Sequence, residues 1–227
     1  MVTTSELNST PIEMLLAEKR VTLYHVSWES YEKILDALGD RRAARITYYQ
    51  GILEIVAPLE EHESSSDRLG TLIHILTEEL NLNIKSMAST TLKIPNLRIG
   101  AEPDKCYYIQ NEPAVRGKKV DLSIDPPPDL VLEVDITHTD INKKQLYQEM
   151  KVPEFWRYNG KTLTIYLLNQ NQYEESEISA TFPLLTKETI YEFLAQCNIQ
   201  GETQTKRAFR TQLREQVMEQ KNKGSND

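Results

Sequence analysis

The chain has 227 residues, 39% apolar and 26% charged, which suits one compact domain with trimmings or at most two small ones and is too apolar for a disordered chain. Ten Pro and eight Gly are ordinary numbers and exclude collagen-like and low-complexity sequence. The net charge of −8 excludes nucleic-acid binding by the overall field, so such binding has to come from a local basic patch or from metal ions.

Residues 1–11 read as a loose lead-in. Ser27 can cap a helix over Trp28–Leu38 that stops at Gly39. The stretch RITYYQGILEIVAP has two β-rich runs broken at Gly51, which predicts a hairpin of Arg45–Tyr49 with Ile52–Ala57. A long helix over Glu61–Leu80 follows, because Leu69, Ile73, Leu76 and Leu80 form an apolar stripe. At about 100° per residue, His62 lies within about 20° of that stripe and Glu63 at its edge. Short extended segments are expected at Asn83–Ser89 and Thr91–Ile94, then a strand at Cys106–Ile109. Three prolines at 126–128 cannot be helix or central strand, and they lead into Leu130–Ile136, an apolar run typical of a buried strand. Thr139 or Asp140 caps a helix over Asp140–Met150. Strands at Pro153–Tyr158, Thr162–Leu168 and Gln172–Glu177 come next, the first two joined at Asn159-Gly160. Helices at Lys187–Cys197 and Thr203–Glu219 end the chain. The expected organisation is a lead-in over 1–20, a domain over 21–200, and a C-terminal helix and tail over 201–227. The fold class is α/β with a central mixed sheet flanked by helices.

The chemistry concentrates in DLVLEVD. Alternate side chains of a strand share a face, so Asp129, Val131, Glu133 and Asp135 point one way and Leu130, Leu132, Val134 and Ile136 the other. Two like charges 4 Å apart repel by ~4 kcal/mol at an effective dielectric of 20. Solvent, basic partners, shared protons or a divalent metal make such a face tolerable. Asp104 follows Pro103 at the entrance to another strand. Two adjacent strands offering Asp104 and Glu133 can hold Mg²⁺ through oxygen ligands and waters. Such an ion activates water and neutralises charge on a phosphorus centre. Lys143, on the helix after the Glu133 strand, is a candidate to orient the water or steady the phosphate.

These stretches resemble the Uma-two family of restriction-endonuclease-like proteins, within the PD-(D/E)xK nuclease superfamily. The resemblance rests on YYQGILEIVAPLEEHE, GAEPDKCYYIQN, PPPDLVLEVDIT and KQLYQEMKVPEFWRY in series. It implies that Asp104 is the acid of the PD element and Glu133 that of the (D/E)xK element. His62 and Glu63 stand where the superfamily has its N-terminal acidic helix residue. Asp129 adds a ligand or caps a turn. Lys143 matches a family lysine four positions before a tyrosine, here Tyr147. One departure stands out: two positions after Glu133 the superfamily has lysine, and this chain has Asp135. Either Lys143 substitutes from the helix or cleavage is lost, and Asp135 could instead bind a second metal.

The implied function is a Mg²⁺- or Mn²⁺-dependent endonuclease acting on DNA, pairing as a homodimer. The alternative is a catalytically inactive nuclease fold kept for binding or assembly. Hydrolysis of a glycosidic bond by paired carboxylates has no sugar-cleft signature behind it. Residues 203–227 carry a net charge of +3, read either as a solvated helix face or as a DNA-contacting arm. Arg116, Lys118 and Lys119 around Gly117 read as a solvated turn or a phosphate-contacting loop. No apolar run approaches the ~18 residues of a membrane span. The N-terminal residues lack the pattern of a secretory signal, and Cys106 and Cys197 form no disulfide framework. A cytoplasmic protein is expected.

Overall fold

The computed structural model describes residues 19–39, 44–88 and 90–224; the lead-in at 1–11 lies outside them. In chain order the elements are β1 (Lys19–Leu23), α1 (Trp28–Leu38), β2 (Arg45–Tyr49), β3 (Ile52–Ala57), α2 (Glu60–Glu79), β4 (Lys85–Met87), β5 (Leu92–Ile94), β6 (Ile99–Ala101), β7 (Lys105–Tyr108), α3 (Glu112–Val115), β8 (Leu130–Val134), α4 (Lys143–Glu149), β9 (Glu154–Tyr158), β10 (Leu163–Asn169), β11 (Gln172–Ser176), α5 (Lys187–Ile199) and α6 (Glu202–Gly224). They form two sheets. The larger runs β11-β10-β9-β8-β7-β4, and the smaller runs β1-β3-β2-β6-β5. In the larger sheet only β8 and β9 pair in parallel; this is the expected mixed sheet with helices against it.

Local chemistry accounts for the clearest boundaries. The Ser27 hydroxyl accepts from Ser30 N at the start of α1, and Gly39 at φ +63° ends it. The β2–β3 hairpin turns on Gln50 and Gly51, both at positive φ, as a two-residue turn requires. At the β9–β10 turn, Asn159 Oδ1 accepts from Lys161 N and Thr162 N, so the side chain itself shapes the reversal.

Strand β8 is buried on both faces. Leu130, Leu132 and Val134 pack with Leu69, Leu72 and Ile73 of α2 and with α5 and α6. Val131, on the other face, packs with Leu146 and Tyr147 of α4 and with Tyr49, Ile99 and Ala101 of the smaller sheet. Helix α1 closes the far side of the smaller sheet through Trp28, Tyr31, Ile46, Tyr48 and Leu53. Phe209 and Leu213 of α6 belong to the same buried cluster as β8, so this helix packs onto the domain rather than trailing from it.

The structure departs from the sequence expectations most clearly at three places. Strand β1 was not foreseen, and it overlaps the expected lead-in. Its apolar residues Val21 and Leu23 face outward while Arg20 and Thr22 are half-buried, the reverse of the usual alternation. Strand β6 was hidden because Gly100 reads as turn punctuation. Here the glycine serves a close approach instead: a Cβ at Gly100 would lie 2.1 Å from Tyr31 Oη, and that ring stacks on Tyr48 at 4.8 Å. Gly100→Ala is therefore expected to lower stability by about 1–3 kcal/mol through overpacking. An unchanged urea midpoint would show that the ring can move aside.

The third departure is α4, which begins at Lys143 with Asn142 as its cap, the Asn142 side chain accepting from Gln145 N. Thr139 and Asp140 do not cap it. Glu54 of β3 takes the Thr139 hydroxyl at 2.8 Å and the Asp140 amide at 2.7 Å, and pairs with Arg20 at 2.5 Å. This buried carboxylate fastens the loop between β8 and α4 to the smaller sheet.

Candidate active site

Antiparallel pairing of β7 and β8 sets Lys105 against Leu132, so Asp104, one residue earlier, stands across from Glu133. Both side chains are buried. They line one small cavity with Arg45, His62, Asp135 and Lys143, and its volume is about 20 Å³. Strand pairing and the alternation of β8 thus bring Asp104 and Glu133 to one point.

Every acidic oxygen there has a partner. Asp104 Oδ2 accepts from Val134 N at 2.6 Å and lies 3.2 Å from His62 Nε2. Asp104 Oδ1 pairs with Arg45 Nη1 at 2.5 Å. Lys143 Nζ donates to Glu133 Oε2 at 2.8 Å and to Asp135 Oδ1 at 2.6 Å. The Tyr147 hydroxyl donates to Glu133 Oε1, and Arg157 Nε to Asp135 Oδ2 at 2.9 Å. The lysine carried by α4 therefore reaches the strand carboxylates, and the expected pattern of a lysine one helical turn before a tyrosine delivers both groups to Glu133.

The electrostatics follow from burial and pairing. Burial pushes the Glu133 carboxyl up to about 7, against the nearby Lys143 charge, with Asp104 and Asp135 adding to the rise. Burial acts the same way on Asp135, yet Lys143 and Arg157 together hold it below the usual carboxylate range. Burial opposes the charge of Lys143, and the carboxylates of Asp135 and Glu133 outweigh that and raise its pKa. Tyr147 is pushed well above the usual phenol range by burial and by Glu133, so it stays protonated and donates.

The remaining candidates separate. Glu63 stands beside the cavity rather than in it, holding Arg45 Nη2 at 2.8 Å with its own side chain 46% exposed. Asp129 shares a strand face with Glu133 but sits four residues away, about 13 Å along the strand. Its carboxylate accepts from Ile109 N, Asn111 N and Asn111 Nδ2, so it caps that loop and does not reach the cavity. Arg116 pairs with Glu112 and Lys118 with Asp125, which ties up two of the three cations of the suggested phosphate loop. Arg210 and Arg214 pair with Glu78 and Glu79, which spends much of the positive charge of the C-terminal helix within the fold.

Sequence reasoning missed Arg45, Arg157, Glu54 and Glu102. Arg157 lies opposite Glu133 in the parallel β8–β9 register, a relation that only strand pairing reveals. Glu102 is buried and accepts from Ile46 N and the Thr91 hydroxyl, a structural duty. Among the described residues, no three His, Cys, Asp or Glu side chains form a ready metal-holding group. The donor chemistry nevertheless suits a hard cation: two carboxylates on neighbouring strands are what Mg²⁺ takes from a protein, with waters and substrate phosphates completing its shell.

No curated protein matches the chain. A solved structure described as "a putative nuclease belonging to DUF820", from Anabaena variabilis, is similar at 12% identity and a TM-score of 0.48, over 74% of this chain and 98% of that one. The profile of the Uma2 family, described as "Putative restriction endonuclease", matches residues 28–200, and the chain belongs to that family.

Proposed function

We propose that this protein is a divalent-metal-dependent endonuclease that hydrolyses phosphodiester bonds of DNA. One observation carries the reading: Asp104, just before β7, and Glu133, on the adjacent β8, face one small cavity, with the Lys143 ammonium 2.8 Å from Glu133. Family membership supports it.

In this reading Asp104 and Glu133 hold Mg²⁺ or Mn²⁺. The bound ion supplies positive charge for the phosphate and a more acidic water. Lys143 takes the place of the strand lysine that Asp135 displaces, and offers its ammonium to the attacking water or a phosphate oxygen. Asp135 holds Lys143 in position, with Arg157 balancing its second oxygen. His62 fixes the Asp104 carboxylate from α2, and Glu63 anchors Arg45 at the mouth. Nuclease folds of this kind often pair to cut both strands of a duplex, and that analogy extends the reading to a homodimer on DNA.

The test is incubation of the purified chain with supercoiled plasmid and with single-stranded circles. Nicked and linear products are expected with Mg²⁺ or Mn²⁺ and none after chelation by EDTA. A protein that binds these DNAs but cuts neither with either ion would support an inactive binding module.

A further inference from the structure

The position of Arg45 has a meaning that rests on the proposed divalent-ion site. Asp104 and Glu133 present four carboxylate oxygens, and protein groups already hold all four. The space between the lining side chains, about 20 Å³, is room for a single water. Mg²⁺ keeps several waters when it binds. An ion can therefore enter only if a side chain moves out.

The candidates are unequal. Val134 N–H belongs to the backbone of β8 and cannot leave. Lys143 touches two carboxylates at 2.8 and 2.6 Å, and its departure would strip a partner from both. Tyr147 is fully buried and carries no charge to exchange. Arg45 differs in three ways. It holds Asp104 by a single nitrogen, Nη1, which also lies 3.4 Å from His62 Nδ1. Its other arm, Nη2, already reaches Glu63, whose side chain is half-exposed at the mouth. Its Nε–H is buried without an acceptor, a standing cost in this arrangement.

We infer that Arg45 is a built-in counter-ion: its guanidinium compensates Asp104 in the metal-free protein and withdraws toward Glu63 when a divalent cation binds. Arginine and ion then compete for one carboxylate, and each weakens the other's hold by the same factor. Without Arg45 the metal-free site would carry a buried carboxylate short of a partner, and with it the fold tolerates the carboxylate pair before the ion arrives.

The experiment is Mn²⁺ binding by full-length protein, followed by loss of the free-ion paramagnetic resonance signal, in wild type, Arg45→Gln and Asp104→Asn. Arg45→Gln is expected to bind Mn²⁺ about tenfold more tightly, within the common range for coupled sites, while Asp104→Asn loses the site. Unchanged or weaker binding by Arg45→Gln, with Asp104→Asn still deficient, overturns the counter-ion role and leaves the metal site standing. Equal binding by wild type and Asp104→Asn, or none by either wild type or Arg45→Gln, overturns both. A second measurement does not depend on the variant folding. In wild-type protein the Arg45 Nε–H resonance should shift saturably during a Mg²⁺ titration; a signal that stays in place while Mg²⁺ binds overturns the inference.

Discussion

Glu133→Gln is expected to lower DNA cleavage by about a thousandfold, because the charge stabilisation that a bound metal gives is worth several kcal/mol. The same change should leave the protein at least as stable as wild type above neutral pH. The reason lies in the carboxyl raised to about 7 by burial. An unfolded chain releases that proton at the ordinary glutamate value, lower than the folded one. Between the two values the folded state binds more protons, so stability falls as pH rises through that window. The penalty is complete above the folded value. Glutamine cannot ionise and escapes it, while its amide still offers an oxygen to Lys143 and a donor to the Tyr147 oxygen. A gain of order 1 kcal/mol over wild type is expected above pH 7, shrinking toward acid. Urea denaturation on both sides of pH 7 reads it. A variant that cuts at the wild-type rate would remove Glu133 from the chemistry, and a stability difference that grows toward acid would contradict the buried charge.

Above pH 7, where Glu133 is ionised in wild type, Lys143→Met is expected to cost about 3–5 kcal/mol of folding stability, and at any pH to abolish cleavage. Removing one partner of a buried ion pair leaves the other charge uncompensated, and that is where the cost arises. Asp135 keeps Arg157 at 2.9 Å, so the burden falls on Glu133, left with the Tyr147 hydroxyl. The double variant Glu133→Gln/Lys143→Met tests this directly. If the cost comes from the orphaned carboxylate, the double variant recovers much of the lost stability. If the two losses simply add, Lys143 contributes through packing alone and the ion-pair account fails.

The sequence made the acids legible for a physical reason. A period of two on β8 separates Glu133 from the Leu130, Leu132 and Val134 face within one short segment. A proline before Asp104 marks the start of the neighbouring strand. Lys143 was legible because its helix directly follows that strand. Such signals are local. Arg45 and Glu54 carry no comparable mark, since Asp104 and Thr139, which they hold, lie 59 and 85 positions away and only folding brings them near. Asp129 shows the opposite failure: sharing a strand face with Glu133 did not bring it to the same place. The smaller sheet was missed in part because Arg20 turns inward to Glu54 and leaves Val21 outside. Its β6 looked like a turn because Gly100 makes room for Tyr31.

The Glu54 contacts bear on how far the protein can be trimmed. The segment from Asp104 to Tyr147 contains both acids, the lysine and the tyrosine, and on paper could serve as a minimal catalytic fragment. Yet the loop leading to Lys143 is tethered to β3, and the Asp104 carboxylate is held from β2 and α2. Deleting the first three strands would leave that loop untethered and Asp104 without its arginine. Shortening the protein from its N-terminal side should thus disarm it well before any acid is lost.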